Sequence, residues 1–111
     1  EKRHLPSIVE FQLKMALETE SLELDKDILT KGVKAVFDSP KLAQYYVAQA
    51  NGSIIASLMI TYEWSDWRNS MVWWIQSVYV IPEYRRKGIF SKFYQFIKEK
   101  VEKLNIFGFK L

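Results

Sequence analysis

The stretch from Met71 to Lys103, MVWWIQSVYVIPEYRRKGIFSKFYQFIKEKVEK, decides how this chain folds. Its first part, Val72 to Val80, is almost continuously apolar, aromatic and β-branched, which is typical of a strand covered on both faces. Pro82 lacks a backbone N–H and ends that strand. A basic turn follows, and an amphipathic helix begins after Gly88. The stretch therefore predicts a strand, a glycine-containing turn and a helix in succession.

The turn between this strand and this helix has the composition of an anion-binding site. Arg85, Arg86 and Lys87 directly precede Gly88. The first N–H groups of a helix have no intrahelical acceptor, and the helix dipole places partial positive charge at the same point. Because cationic side chains lie beside these N–H groups, a phosphate is the ligand that the turn favours.

The run VYVIPEYRRKGIFS, residues 78–91, resembles the acetyl-CoA-binding motif of the GNAT family of N-acetyltransferases. That motif is Gln or Arg, two residues, Gly, one residue, then Gly or Ala, between the family's fourth strand and third helix. Here it reads Arg85-x-x-Gly88-x-Phe90, so a phenylalanine replaces the last small residue. The donor at that position is a main-chain N–H, which Phe90 supplies if its ring turns away.

The resemblance implies that acetyl-CoA is the co-substrate and that this turn holds it. The pantetheine arm would bond to the main chain of Val78 and Val80, with residues 86–91 around the pyrophosphate. The N–H of Val78 would polarise the thioester carbonyl, the role of an oxyanion hole. The implied cofactor-binding residues are Val78, Tyr79, Val80, Arg85, Arg86, Lys87, Gly88, Ile89, Phe90 and Ser91.

Composition and charge limit the class of protein. The 111 residues suffice for one domain, residues 1–111, and a hydrophobic content of 49% is ample for a packed core. With no cysteine, the sequence offers neither a disulfide framework nor a thiolate metal site, and we expect no bound metal. Without a membrane-length apolar run or a signal-peptide pattern, it predicts a soluble, cytoplasmic protein with no membrane partner. A net charge of +3 suits a polyanionic small ligand as well as nucleic acid.

The ends of the chain favour an incomplete domain. The sequence does not begin with methionine, and Ile106 to Leu111 read as a strand just beginning. The GNAT fold starts one strand earlier and continues with another helix and two strands. The resemblance therefore predicts that these residues form the central part of a GNAT domain, incomplete at both ends.

The segment from Leu5 to about Glu18 reads as the first helix, because Ile8, Phe11 and Met15 recur on one face. His4, the only histidine, precedes it, and we expect it to cap the helix or face solvent rather than act as a general base. An acidic segment then reads as a solvated loop, or alternatively as a cation-attracting lip over an amine. Its glutamates are Glu18, Glu20 and Glu23.

A second helix and a hairpin follow. Asp25 is the candidate N-cap of a helix that runs to about Phe37. Asn51-Gly52 then separates two β-rich runs, Tyr45 to Ala50 and Ser53 to Tyr62. This dipeptide between such runs is a strong signal for a β-hairpin.

The polar stretch from Glu63 to Ser70, EWSDWRNS, breaks the chain before the strand at Val72. We expect Trp64 and Trp67 to pack back on the sheet. Alternatively, they join Glu63 and Asp66 in holding a cationic amine through charge and cation–π contacts.

Aromatic residues nearer the motif read as core. Trp73 and Trp74 are adjacent in a strand and must face opposite sides of the sheet, so at least one belongs to the core. In the last helix, the spacing of the apolar residues places them on one buried face, which argues against binding of nucleic acid by that helix. These residues are Phe90, Phe93, Tyr94, Ile97 and Val101.

Together the elements predict an α/β (α+β) domain with a mixed sheet, in the order helix, helix, strand, strand, strand, helix, strand. Short links join three strands as an antiparallel meander. The strand–helix–strand unit that follows predicts a parallel pair with a right-handed crossover. The GNAT resemblance adds a bulge in the strand that would hold the pantetheine arm.

The reaction implied by the resemblance is direct attack of a primary amine on the thioester of acetyl-CoA. An alkylammonium with a pKa of about 10.4 must first lose a proton at neutral pH. Many GNAT members place a glutamate on the strand for this purpose, but the matching position is Gln76 here. Glu63 and Tyr79 are the remaining candidates for a base, and the family's usual acid lies beyond this chain. The catalytic candidates are Val78, Glu63 and Gln76.

A looser resemblance concerns the acceptor. The runs DILTKGV, residues 27–33, and YEWSDW, residues 62–67, resemble the diamine and polyamine acetyltransferase branch. They favour a small amine over a protein N-terminus or lysine, and we expect no nucleic-acid partner but a second copy of the chain in a homodimer. Other classes left open are a CoA-binding regulator without catalysis, motivated by Gln76, and a nucleic-acid-binding module, motivated only by the positive charge.

Overall fold

The computed structural model describes residues 2–104 and 108–110. Within these residues, three α-helices and four strands form the fold. The helices are α1 (Leu5–Glu20), α2 (Lys26–Asp38) and α3 (Ile89–Lys103). The strands are β1 (Ala43–Ala50), β2 (Ser53–Ser65), β3 (Ser70–Val80) and β4 (Gly108–Lys110). In this described part of the chain, every helix is too short or too polar to cross a membrane.

The strands form one mixed sheet in the order β1-β2-β3-β4. The pairs β1–β2 and β2–β3 are antiparallel, whereas β4 runs parallel to β3 beside residues 72–74. The predicted meander, the parallel pair connected by a helix, and the α/β fold class are therefore confirmed. The rest of the strand predicted over 106–111 lies outside the described residues.

The N-termini of α1 and α2 differ in whether a side chain caps them. Asp25 caps α2 as predicted, because its Oδ1 accepts hydrogen bonds from the N–H groups of Asp27 at 2.9 Å and Ile28 at 3.2 Å. His4 occupies the N-cap position of α1 but makes no capping hydrogen bond with its side chain, so the capping prediction is wrong. Its ring is half-buried.

The acidic segment predicted as a loop is largely helical. α1 continues to Glu20 and ends at Ser21, whose φ of 51° lies in the left-handed region. Glu18 and Glu20 therefore belong to α1, and only Glu23 lies in the connection to α2. The helix predicted from Leu5 to about Glu18 is confirmed, and the loop prediction is wrong for Glu20 because the helix continues to that residue.

The Asn51-Gly52 hairpin is confirmed. Both residues have positive φ, 52° and 79°, the combination required at the tip of a two-residue turn between β1 and β2. The polar break predicted from Glu63 is wrong in extent, because β2 and β3 stay paired down to Ser65 opposite Ser70. In the described ladders β1 pairs with β2 as far as Thr61 and β4 pairs with β3 over residues 72–74, so the end of the β2–β3 hairpin beyond these residues projects as a two-stranded arm.

This arm, residues 64–71, carries two tryptophans away from the core. Trp64 is 56% exposed and Trp67, in the turn, is 93% exposed. The prediction that they pack back on the sheet is wrong, because the arm extends beyond the elements that could cover them. Trp73, by contrast, is buried and Trp74 half-buried, which confirms that one of this adjacent pair belongs to the core.

The helices cover opposite faces of the sheet. Along β1, Tyr45 and Val47 pack against the cluster formed by α1 and α2, whereas Tyr46 and Ala48 pack against the cluster that contains α3. Because side chains alternate between the faces of a strand, α1 and α2 lie on one face and α3 on the other. Covering both faces explains why the sequence of β3 is apolar almost throughout.

On α3, the predicted buried face is only partly correct. Phe93, Ile97 and Val101 are buried against the sheet. Phe90 and Tyr94 are 39% and 38% exposed and lie against each other, with ring centroids 6.5 Å apart. They are exposed because the first turn of α3 stands at the margin of the sheet, where a cavity opens.

Candidate functional site

A cavity of about 450 Å³ lies where β3 ends, between α1 and the first turn of α3. Its lining includes all of the predicted cofactor-binding residues except Lys87 and Ser91. Met15, Glu18 and Thr19 of α1 complete it together with Tyr84. The structure thus brings the predicted motif and the end of α1 to one place.

A β-bulge interrupts β3 at the cavity. Gln76 is opposite Met59 and Tyr79 is opposite Ser57, so β3 contains one more residue than β2 over this interval. Ser77 takes a φ of 53°, in the left-handed region that an extra residue in a ladder often adopts. Within the described ladder, Val78 is not in register with a β2 residue. The bulge implied by the GNAT resemblance is present.

The turn that follows β3 ends in an uncapped helix N-terminus. Gly88 is the N-cap residue of α3, with a φ of 77° and no side chain to satisfy the first N–H groups. A Cβ atom at Gly88 would meet no atom within 4 Å, so open space lies beside this backbone. Arg86 also has a positive φ, 65°, and is exposed next to it. The turn therefore presents helix-terminal N–H groups and cationic side chains to the same open space.

A hydrogen-bonded cluster joins α1 to β3 and to the motif. The Tyr79 hydroxyl donates to Glu18 Oε2 at 2.8 Å, and Arg85 Nη2 donates to Glu18 Oε1 at 2.8 Å. Arg85 Nε also donates to the main-chain oxygen of Val80 at 2.7 Å. The sequence analysis placed Glu18 in an acidic segment and did not predict these contacts. Its two partners are 61 and 67 residues away in the chain, so no local pattern indicates them.

The charges in this cluster shift the proton affinities of its members. The hydrogen bonds from Arg85 and from Tyr79 lower the pKa of Glu18, so Glu18 is a carboxylate at neutral pH. Burial, together with the hydrogen bond that it donates to Glu18, raises the pKa of Tyr79 above 10.0. A phenol that holds its proton so firmly cannot serve as a base at neutral pH, which removes one of the candidates that the sequence left open.

The structure separates the other two candidates for handling the proton. Gln76 is exposed on β3, close in sequence to Val78, and its Nε2 donates to Thr61 Oγ1 at 2.6 Å. Glu63 is opposite Val72, at the base of the arm. It lies about six strand positions, or roughly 20 Å, along β2 from the residue opposite Tyr79. Val78 is therefore in the cavity, Gln76 beside it, and Glu63 outside it.

A second cavity, of about 550 Å³, lies between β1 and α3. Among the predicted cofactor-binding residues, only Lys87 and Ile89 line it. The bulge in β3 and the uncapped end of α3 both belong to the first cavity, which is therefore the candidate site. Within residues 2–104 and 108–110, no cluster of side chains could hold a metal ion.

The residues at the first cavity fit an anionic ligand that carries an extended polar arm. The N–H groups at the start of α3 and the side chain of Arg86 suit a pyrophosphate. The ladder is interrupted at Val78, whose main chain lies beside the cavity and suits an amide group of a pantetheine arm. Val80 stays paired opposite Ala56, and its oxygen accepts the hydrogen bond from Arg85 Nε. Coenzyme A combines these two features.

Comparisons with known proteins agree with this geometry. The model of the acetyltransferase (GNAT) family matches residues 8–110. The structure of a "possible acetyltransferase" from Clostridium difficile 630 is 47% identical, with a TM-score of 0.93, and the match covers 100% of this chain and 74% of that one. A comparison with functionally curated proteins gives no significant match.

Two more distant structures share the fold. A "predicted acetyltransferase with acetyl-CoA" from Clostridium acetobutylicum has a TM-score of 0.77 at 19% identity, over 100% of this chain and 76% of that one. A "transcriptional regulator" from Bacillus halodurans C-125 has a TM-score of 0.81 at 16% identity, over the same shares. By its family match over residues 8–110, its identity to the Clostridium difficile structure and the site at the end of β3, this chain belongs to the GNAT family and is an acetyl-CoA-dependent acyltransferase.

Proposed function

We propose that this protein transfers the acetyl group of acetyl-CoA to a primary amine of a small molecule, with a diamine or polyamine as the favoured acceptor. The observation that carries the proposal is the cavity that joins the bulge of β3 to the uncapped N-terminus of α3. One end of this cavity suits a pyrophosphate, and the other exposes main-chain groups where a thioester would lie. The acceptor class rests on the resemblance to the polyamine branch at residues 27–33 and 62–67.

Acetyl-CoA supplies an acyl group activated as a thioester. The N–H of Val78, freed from regular pairing by the bulge, would donate to the carbonyl oxygen as negative charge develops there. The amine nitrogen forms a bond to the carbonyl carbon, the carbon–sulfur bond breaks, and its electron pair leaves with sulfur. The main chain of residues 86–91 and the side chain of Arg86 would hold the pyrophosphate meanwhile.

The amine has to lose a proton, and the carboxamide of Gln76 cannot accept it. We propose that water carries this proton away and that Gln76, held by Thr61, orients the water. Glu63 keeps its proposed role in amine binding under one condition. Because Glu63 lies at the base of the arm, outside the cavity, the acceptor must be long enough for a second cationic group to reach it, as in a polyamine.

Thiol release from acetyl-CoA tests this function directly. We expect butane-1,4-diamine and spermidine to support turnover, and a peptide with a free N-terminus and a lysine to support less. Glu63→Gln should raise KM for spermidine more than for a monoamine such as propylamine, because only the long acceptor reaches the arm. Equal turnover with the peptide, or an unchanged spermidine KM in Glu63→Gln, would contradict the small-amine assignment or the Glu63 role respectively.

A second candidate function is a CoA-binding regulator without catalysis. The observation that favours it is Gln76, which stands where many family members carry a glutamate and is already engaged by Thr61. Calorimetric binding of CoA without thiol release from acetyl-CoA, for every amine tested, would identify this function. Gln76→Glu then becomes informative, because a new carboxylate beside the amine should create activity if only a base is missing.

A further inference from the structure

Arg85 is the first residue of the acetyl-CoA motif, and its guanidinium is already bound by groups of β3 and α1. Nε bonds to the Val80 oxygen and Nη2 bonds to Glu18, with the guanidinium carbon 5.2 Å from the centre of the Tyr79 ring. Arg85 and Glu18 line the same cavity as Arg86 and Gly88. The guanidinium therefore lies within the candidate site, paired with an internal carboxylate.

A ligand can replace Glu18 as the partner of the Arg85 guanidinium. The side chains of Arg85 and Glu18 are 42% and 39% exposed, so water screens their attraction. A guanidinium bound to a phosphate makes two parallel charge-assisted hydrogen bonds, which are stronger than a single contact with one carboxylate oxygen. A pyrophosphate at the turn would therefore compete well for this guanidinium.

We propose that Glu18 is a positioning residue that holds Arg85 in reserve, and that the pyrophosphate of CoA displaces Glu18 from the Arg85 guanidinium on binding. This inference rests on the proposed binding of CoA at the Arg85–Ser91 turn. Part of the binding free energy is spent on breaking the internal ion pair. The affinity for CoA is then set by a residue of α1 that does not itself touch the ligand.

Displacement of Glu18 by the ligand predicts that a variant without this carboxylate binds CoA more tightly than the wild type. Removing the carboxylate in Glu18→Gln should tighten CoA binding by about two- to fivefold, the range expected for breaking an exposed ion pair. A purely structural role for Glu18 predicts the reverse, because loosening α1 and Arg85 would weaken the site. Glutamine keeps an acceptor for the Tyr79 hydroxyl, so the variant should fold.

The matched control is Glu10→Gln. Glu10 is also on α1 and also forms an exposed ion pair, with Lys14 at 3.0 Å. The same charge is removed from the same helix but not beside Arg85, so CoA affinity should change by less than in Glu18→Gln. Arg85→Gln should weaken CoA binding, and in the Arg85→Gln background the Glu18→Gln change should have no effect.

Isothermal titration of CoA into the wild type and these variants, at two salt concentrations, decides the matter. Weaker or unchanged binding in Glu18→Gln would overturn the inference, as would equal tightening in Glu10→Gln or tightening that persists without Arg85. Glu18→Ala repeats the test if Glu18→Gln does not fold, as judged by thermal melting. Failure of the wild type to bind CoA would instead overturn the proposed function, so the two failures are distinguishable.

Discussion

Tyr79 was a candidate base by sequence, but its hydrogen bond to Glu18 gives it a structural role instead. Its ring packs against Phe11 of α1, with centroids 5.1 Å apart, and its hydroxyl donates to Glu18. A buried donor on an ionised acceptor stabilises the folded state and is poorly suited to removing protons. Tyr79 therefore fastens α1 to the end of β3, beside the groups that would meet the thioester.

The raised pKa of Tyr79 predicts a pH dependence of stability. The folded state holds this proton more tightly than the unfolded state does, so the contribution of Tyr79 is present below pH 10.0 and is lost as the pH rises through the higher folded pKa. Tyr79→Phe should therefore show a shallower alkaline decline in the free energy of unfolding, measured in urea. It should also lose about 1 kcal/mol at neutral pH, the usual net value of one hydrogen bond. A decline as steep as that of the wild type would contradict this assignment.

The positive φ of Gly88 predicts that a substitution at this position weakens CoA binding. Its φ of 77° is one that L residues with branched side chains rarely adopt, so Gly88→Val should force the turn to change and move the first N–H groups of α3. We expect CoA affinity to fall by about tenfold, since the cost of the left-handed conformation is about 1–2 kcal/mol. Calorimetry of the folded variant checks this, and unchanged affinity would reject the placement of the pyrophosphate.

Gly32 provides the control for that experiment. It lies inside α2, where an added Cβ meets no atom within 4 Å. Gly32→Ala should leave CoA affinity unchanged and should stabilise the protein by about 0.4–1 kcal/mol, because alanine loses less conformational freedom in a helix. A change in CoA affinity in Gly32→Ala would show that the Gly88 result reflects global stability rather than the turn.

At the scale of the element, α2 depends on one N-cap. Asp25 satisfies the N–H groups of Asp27 and Ile28, and only Val33 of this helix is fully buried. The first N–H groups of a helix have no intrahelical acceptor, so the Asp25 side chain supplies partners that they would otherwise lack. Asp25→Ala should therefore cost about 1 kcal/mol in the free energy of unfolding. Glu23→Ala, in the preceding loop, should change it by less than about 0.5 kcal/mol, and equal effects of the two would argue against capping.

Elements formed by local signals were predictable, and those set by distant contacts were not. Asp25 and Asn51-Gly52 act within a few residues, so their roles could be predicted from the sequence. The length of the β2–β3 arm could not, because polar residues such as Glu63 and Asp66 are compatible with a loop or with an exposed strand. The bulge at Ser77 was available only through the GNAT resemblance, since the apolar run from Val72 to Val80 gives no break.

The same distinction holds for the site. The motif residues follow one another in the chain, so the sequence could place the cofactor turn. Glu18 reaches the site only because α1 packs across β3, and its contact with Arg85 spans 67 residues. No periodicity or motif marks such a residue in advance, although an acidic side chain at the end of an amphipathic helix drew attention to it.

At the scale of the whole molecule, the sheet has an edge at β1, which pairs only with β2 in the described chain. Its sequence, AQYYVAQA, has no charged residue and no proline, the features that usually keep an edge strand from pairing with another chain. We therefore expect the 111 residues to associate, with a homodimer paired through β1 as the proposed form.

Light scattering after size-exclusion chromatography tests this expectation. Gln49→Lys, which places a charge on the exposed edge strand, should shift the protein toward the monomer. Gln95→Lys, on an exposed position of α3, adds the same charge away from the edge and should not. A monodisperse wild-type monomer over the whole concentration range would contradict association through β1.

The contrast between the exposed Trp67, at 93%, and the buried Trp73, at 5%, has a spectroscopic consequence. An indole in water emits at longer wavelength than one in a core and is accessible to iodide, so the arm and the sheet contribute separable fluorescence. CoA bound at the turn before α3 should leave the iodide-quenchable fraction unchanged. A polyamine that reaches Glu63 should shield that fraction from iodide. The chain therefore contains its own optical reporter for distinguishing the two substrates.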